Sequence, residues 1–361
     1  MAIHRFYTAD LLTGNVLGDI YLYGIYFTKQ INGAGNFTGT FKLGSTITND
    51  SLMMSCTIPA KTALYIERDG VLIWGGIIWS RTYQSNAQTV QLTAQTFESY
   101  FDRVACSSNI IQQGVEQVAL FKNIIDNMQA QDTQSNIGLT YASLPSTGIN
   151  RTVLLPGYEF HMYQEALDQL LGAVDSFEYT INVTASATQD RPNKVVTVGY
   201  PTLNSSITGQ YYDYPGTVLN YWWPETTSEG ATRFAGRGYG AGNKAPTAVV
   251  VDGTAINAGY PSLWKVASYN NIADPTLLDS KVRRDALAYA IPVNNPTFEL
   301  KPDAITTFSG WNLLGAPLTV AIQDVRFPTG NIATRRMLGW EFSPSSENSS
   351  ESLKIVLSNK E

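Results

Sequence analysis

His161 and Glu165 stand one helical turn apart, the spacing at which a general base meets an orienting carboxylate. No nucleophile or second ligand lies close in sequence, so the ordinary reading is an i, i+4 pair near a helix start. Glu159, Asp168, Asp175 and Glu178 could supply the acid and base of sugar hydrolysis, whose carboxyls stand about 5 to 9 Å apart. No local motif marks any of them, and they read as lone surface carboxylates. Gly236, Gly238, Gly240 and Gly242 alternate in the manner of a phosphate cradle. Such loops need a helix N-terminus directly behind them, where amides converge on the anion. None follows here, and Arg233 to Gly242 reads as a strand leaving its sheet into a flexible loop. His4 reads as part of a mobile terminus. Cys56 and Cys106 make neither a disulfide framework nor a four-ligand zinc site, and no Gly-x-Ser-x-Gly elbow is present. The sequence therefore nominates no catalytic, cofactor-binding or metal residue.

Aromatic side chains are the remaining candidates. Tyr211, Tyr212, Tyr214, Tyr221, Trp222 and Trp223 cluster in sequence and could stack on sugar rings. Interfaces and β cores use the same residues, because they bury large areas at low entropy cost. The interface or core reading is preferred, and Trp74, Trp79, Tyr221, Trp222 and Trp223 are its candidates.

The elements that must position these residues are mostly strands. From Ile20 to Gln95, apolar and aromatic residues at short spacing are punctuated by Asn32-Gly33, Gly35-Asn36, Asn49-Asp50 and Asp69-Gly70. Asp69-Gly70 has the chemistry of a tight hairpin turn between Ala63–Arg68 and Val71–Arg81, and Gly75-Gly76 inside the second strand reads as a bulge or a close backbone approach. Helical periodicity predicts one helix from about Val115 to Gln131 and a second along Phe160, Tyr163, Ala166, Leu167, Leu170, Leu171 and Val174. The two are joined by a polar connector that runs to Gly157. Phe177–Val183 and Val195–Tyr200 read as a hairpin, joined by the polar turn Gln189–Lys194. Asp274-Pro275 signals the start of a helix to Tyr289. Strands resume from Thr297 to Leu357, with Ser343–Glu351 as a solvated loop. Glu67-Arg68-Asp69-Gly70 with Gly75-Gly76 is weakly echoed by Val325-Arg326 and Gly330 with Gly339-Trp340.

Composition narrows the function classes. The chain carries 24 basic and 30 acidic residues, net −6, and only 15% charged residues against about 25% in ordinary soluble proteins. With 43% hydrophobic residues it can bury a large core, which excludes wholesale disorder. Its length suggests roughly two or three domains. The Thr, Asn, Ser and Gln that replace the missing charge suit strand faces and packed polar interfaces. No Lys/Arg run exists to neutralise phosphates, so ordinary nucleic-acid binding is disfavoured. The opening residues lack a secretory leader, so synthesis in the cytoplasm without export is expected. The longest apolar stretch, Val71 to Trp79, falls far short of the roughly 20 residues that span a bilayer, so no membrane anchor is expected.

The segment Leu64-Tyr65-Ile66-Glu67-Arg68-Asp69-Gly70-Val71-Leu72-Ile73-Trp74-Gly75-Gly76-Ile77-Ile78-Trp79-Ser80-Arg81 resembles a hairpin of minor tail proteins from long-tailed phages of actinobacteria. The helical middle, Arg233–Gly238, Leu313–Val320 and Arg335–Trp340 follow in the order such proteins show. The resemblance implies a mainly β (α+β) fold with a helical insert and two tail-tube-like β domains, as in phage baseplate hub proteins. It places one tube-like domain at 1–105, the helical insert at 106–175, and a second tube-like domain at 176–361 with an insertion at about 202–290. It implies a homotrimer with a pseudo-sixfold ring at the virion's tail tip. That hub would end the tail tube, anchor the tape-measure protein, distal tail protein and other minor tail or receptor-binding proteins, and open for DNA ejection. DNA would pass through the lumen without specific binding, and no cofactor or enzymatic activity is implied. The composition suits a polar to mildly acidic lumen along which phosphates slide. The rival readings are a tail-associated wall-degrading enzyme and a carbohydrate-binding tail module. Under the hub reading, the charge deficit predicts that much of the surface is covered by neighbours.

Overall fold

A computed structural model describes residues 2–44, 49–171, 175–186, 191–207, 209–228, 230–270, 272–291, 295–345 and 350–358. The fold is mainly β with a smaller helical share. The first strands are β1 (His4–Asp10), β2 (Val16–Asp19), β3 (Tyr23–Gln30), β4 (Asn36–Lys42), β5 (Thr62–Arg68), β6 (Val71–Gln84) and β7 (Thr89–Thr96), with the short helix α1 (Asp50–Ser55) between β4 and β5. Next come β8 (Ile110–Glu116), α2 (Gln117–Gln131), β9 (Leu139–Tyr141), β10 (Asn150–Leu155), α3 (Tyr163–Leu171), β11 (Glu178–Thr184) and β12 (Asn193–Gly199). The chain then runs through β13 (Gln210–Tyr214), β14 (Val218–Trp222), β15 (Arg233–Gly238), β16 (Thr247–Val251), α4 (Gly253–Asn257), β17 (Trp264–Tyr269) and α5 (Pro275–Ala288). It ends with β18 (Thr297–Leu300), α6 (Pro302–Thr306), β19 (Pro317–Ile322), β20 (Asn331–Ser343) and β21 (Ser352–Leu357).

Thirteen strands from both ends of the sequence share one sheet. Its strand order repeats. The early strands lie in the order β1-β5-β6-β7-β4-β3, and the late ones in the order β13-β19-β20-β21-β18-β14, each set with a short helix between its β4- and β5-type strands. The sets differ in their first pair, antiparallel for β1–β5 and parallel for β13–β19. They are joined where β3 pairs with the C-terminal half of β20, Phe27 opposite Phe342 and Lys29 opposite Trp340. The sequence between the sets forms sheets of its own, and so does the stretch between β14 and β18. There β16-β15-β17 form a small sheet backed by α5 around Phe234, Tyr269, Leu278 and Val282. β13 and β14 belong to the large sheet, so the separate unit starts only near Ala231.

Local chemistry explains the elements. Asp69 and Gly70 both take positive φ, 50° and 79°, as the hairpin turn that matches strand twist requires. Alternation along β5 sends Leu64 and Ile66 into one core and Ala63 and Tyr65 into another. The first core holds the sheet's two strand sets together, and the second binds the early strands to α2, α3, β11 and β12. β5 and β6 are thus covered on both faces, which is why they read as a continuous apolar run. Gly75 and Gly76 are a close approach: a Cβ would meet Val183 Cγ1 at 2.6 Å or the Gln95 carbonyl at 2.2 Å. α5 begins under Asp274, whose carboxylate accepts from the Thr276 and Leu277 amides.

Three expectations are corrected. His4 is not mobile: it lies in β1, its side chain buried 3.5 Å from Glu351, because β1 pairs along its whole length with β5. The polar connector before Gly157 contains strands β9 and β10, which form through long-range pairing with β12 and β8 rather than through local pattern. Gly236 and Gly238 lie within β15 and not in a loop. A Cβ at Gly236 would stand 2.1 Å from Val282 Cγ2 of α5, so the glycines make room for the helix. Val174, the Gln189-Asp190 end of the expected turn and residues 346–349 of the expected loop lie outside the described residues.

Phe27 sits where the two strand sets meet. Its ring lies 6.1 Å from Trp74 and 6.4 Å from Phe37 of the early set, and 5.7 Å from Trp340 and 5.4 Å from Phe342 of the late set. Phe27→Ala should cost about 3–5 kcal/mol, measured by denaturant unfolding. A loss below about 1 kcal/mol would show that the joint does not depend on this ring.

Candidate functional site

The charged residues singled out in the sequence are each held by a structural partner. His161 Nδ1 meets Glu165 at 2.7 Å and its Nε2 meets Glu159 at 2.6 Å, an exposed triad before α3. Asp175 pairs with Arg151, and Asp168 accepts from Gln164 at 2.8 Å while burial raises its pKa. Glu178 is buried, paired to Arg336 of β20 at 2.5 Å and accepting the Leu203 amide at 3.0 Å. No group of three His, Cys, Asp or Glu that could hold a metal occurs among the described residues, and none of the described helices is long and apolar enough to cross a membrane.

The aromatics divide. Trp74 is fully buried and donates to the Thr28 carbonyl at 2.9 Å. Trp79 is half-buried, donates to Ser99 at 2.9 Å and lies beneath Arg103. Tyr221 stacks on Phe298 and donates to Asp324 at 2.5 Å. Trp222 is exposed with Lys354 over its ring, whereas Trp223 packs on Phe327 under Arg335. The two indoles therefore lie on opposite faces of their strand and share no platform. Tyr212 is buried and Tyr211 exposed.

Sequence reasoning missed a buried polar clamp. Lys29 of β3 is buried and donates to Asn182 at 2.6 Å and to Asn312 at 3.1 Å, tying the early strands to β11 and to the late strand set. Burial pushes its pKa down to about 8. Buried Glu98 accepts the Ile181 amide at 2.7 Å, and burial pushes its pKa up. Lys29 falls in the inward register of β3, two positions after Phe27, which was the available signal.

The feature with functional reach is the large sheet's other face. Rows run across it: Ser80–Thr93–Thr38–Tyr26 and Thr82–Gln91–Thr40–Tyr23 over the early set, and Glu341–Lys354–Glu299–Asn220 over the late set. Thr28 opposite Glu341 joins the two sets of rows. Solvated sheet faces ordinarily carry many charges; here the two early rows named carry none, the next one, Gln84–Thr89–Lys42, carries a single lysine, and the late row carries two glutamates and one lysine.

No protein-family model matches the sequence, and a search of curated proteins returns no match. Solved structures share the fold. A tail protein from Neisseria meningitidis superposes with a TM-score of 0.59 at 12% identity, over 98% of this chain and 96% of that one. The 43 kDa tail protein of prophage MuSo2 from Shewanella oneidensis gives 0.57 at 12% identity, over 99% and 97% of the two chains. A prophage tail protein from Listeria monocytogenes gives 0.55 at 12% identity, over 99% and 95%. At such identity the likeness establishes a common fold, and it runs the full length of the described sheet and inserts. The chain thus has the fold of phage tail proteins.

The His161 triad has a measurable consequence. Hydrogen bonds donated to Glu159 and then to Glu165 raise the imidazole pKa above 6.5. The stabilisation is therefore complete below pH 6.5 and fades as pH rises through the folded value. An NMR titration of His161 should give a midpoint above 6.5, and Glu159→Gln should move it down. A wild-type midpoint at or below 6.5 would contradict the triad.

Proposed function

We propose that this chain is a structural protein of a phage virion, the hub at the tail tip that ends the tail tube. The observation that carries this reading is the repeated strand order within one sheet, with a continuous face running across both repeats that is poor in charge over the early one. Two similar strand sets in one chain suit a ring of three chains with six quasi-equivalent positions. On this reading the sets are two tube-like domains, the early one within 1–105 and the late one within 176–361, the helical insert lies between them, and the unit from Ala231 to Ala290 is an insertion in the second. This face lines the lumen. Thr, Ser and Gln offer phosphates hydrogen bonds but no counter-charge, so DNA and the tape-measure protein slide past without being retained. The remaining surface anchors the tape-measure end, the distal tail protein and more distal minor tail or receptor-binding proteins. The full-length likeness to tail proteins supports this reading, and the structural partners of Glu159, Glu165 and Glu178 favour a non-enzymatic role.

Light scattering on the purified protein should give the mass of three 39.6 kDa chains, and negative-stain images should show a ring with a central channel. A stable monomer at assembly concentrations would overturn the hub reading. Wild-type rings should not retain double-stranded DNA at moderate salt, whereas Thr38→Lys with Thr93→Lys should create salt-sensitive retention. A wild-type ring that binds DNA tightly would contradict the lumen assignment.

A further inference from the structure

The repeat contains one filled joint and one vacant counterpart. In the late set, β20 is longer than its neighbour β19: residues 331–336 pair with β19, and Gly339–Phe342 pair with β3 of the early set along the same edge. In the early set, β6 is likewise longer than β5. Val71–Ile77 pair with β5, and beyond the Ala60 amide, which donates to the Ile78 carbonyl, no strand among the described residues pairs that edge over Ser80–Gln84. Those residues are largely exposed. β14, the counterpart of β3, pairs with β18 on one side and ends the sheet on the other.

The correspondence can be read residue by residue, because both long strands carry the same irregularity. On β6 the register to β7 slips between Ile78 and Ser80, and on β20 the register to β21 slips between Met337 and Gly339. Ser80 therefore corresponds to Gly339, and Tyr83 to Phe342. Tyr26 opposite Thr38 corresponds to Trp222 opposite Thr297, which makes Trp223 the counterpart of Phe27.

We propose that Trp222, at the end of β14, and the residues that continue its open edge to Thr226 in one copy dock antiparallel on Ser80–Gln84 of β6 in the next copy. This repeats between chains the β3–β20 joint found within each chain. The proposal rests on the ring reading above and supplies its contact. The register sets Trp223 opposite Tyr83 as an aromatic pair, and brings Glu225, which pairs with Arg326 of its own chain at 2.8 Å, opposite Arg81, which donates to the Met54 carbonyl. Pro224 fits as well. Ile31 donates to the Leu338 carbonyl, so the hydrogen-bonded pairs of the filled joint fall on Ile31, Lys29 and Phe27, and Thr28 turns its N–H away from β20. Pro224 is the counterpart of Thr28 and has no N–H to lose. A contact between two different edges is heterologous and closes into a ring when the rotation permits. Exposed strand edges are templates for such pairing.

The test uses full-length protein carrying Gln84→Cys and Trp222→Cys, the next facing pair in this register, both exposed in the single chain. Oxidation of the assembled trimer should convert most of it to covalent dimers and trimers on non-reducing gels. Each single variant, and the off-register pair Thr82→Cys with Trp222→Cys, should give several-fold less. Hydrogen exchange on the wild type provides a measurement free of substitutions: amides of 80–84 and 222–226 should slow at least tenfold between diluted monomer and trimer. A trimer that neither crosslinks nor protects these amides overturns the joint while leaving the hub reading intact, and a protein that stays monomeric overturns both.

Discussion

The structure depends on a short antiparallel joint, four residue pairs long, in which β3 lies along the C-terminal half of β20. Phe27 fills the joint from within and touches aromatic rings of both strand sets. Two positions along the same face, Lys29 reaches Asn182 and Asn312, so the insert and the late strands are fixed to the same strand. A buried lysine is costly unless its donors are met, and here two asparagine oxygens accept from it while the charge of Glu98 favours its protonated form through space. Without this joint the molecule would be two sheets with separate cores. With it, the two strand sets present one continuous face.

That face resolves the charge deficit. Charge is missing from two places for two reasons. β5 and β6 are covered by cores on both sides, so every position of their paired region is apolar or glycine-like except near the turn. The opposite face of β4, β7 and the distal half of β6 is open, yet carries mostly Thr, Ser and Gln, with Lys42 at its end the one charged residue of these rows. Burial explains the first absence. The second has no stability rationale, since surface charges on such a face would cost little, and it is the part that calls for a functional reason.

Much of the fold was legible in the sequence where the cause was local. The Asp69-Gly70 turn, the α5 start at Asp274-Pro275 and the β11–β12 hairpin all follow from turn chemistry and periodicity. What depended on distant partners was not legible. β1 around His4, and β9 and β10 within a polar stretch, exist because other strands pair with them. The glycines at 236 and 238 resemble a loop motif until α5 is placed over them. The internal echo was visible, but its register was not: Gly75-Gly76 suggests an alignment with Gly339-Trp340, whereas the shared slip pairs Ser80 with Gly339. The aromatics were recognisable as core or interface residues, yet only strand register separates Trp222 on the open face from Trp223 beneath it.

The most direct test of the central claim is a cryo-electron microscopy reconstruction of the assembled protein at a resolution that places side chains. The account predicts three chains forming six quasi-equivalent sheet segments around a channel, with Thr38, Thr93 and Ser80 facing the lumen. A ring whose channel is lined by another surface, or by lysine and arginine side chains, would contradict it.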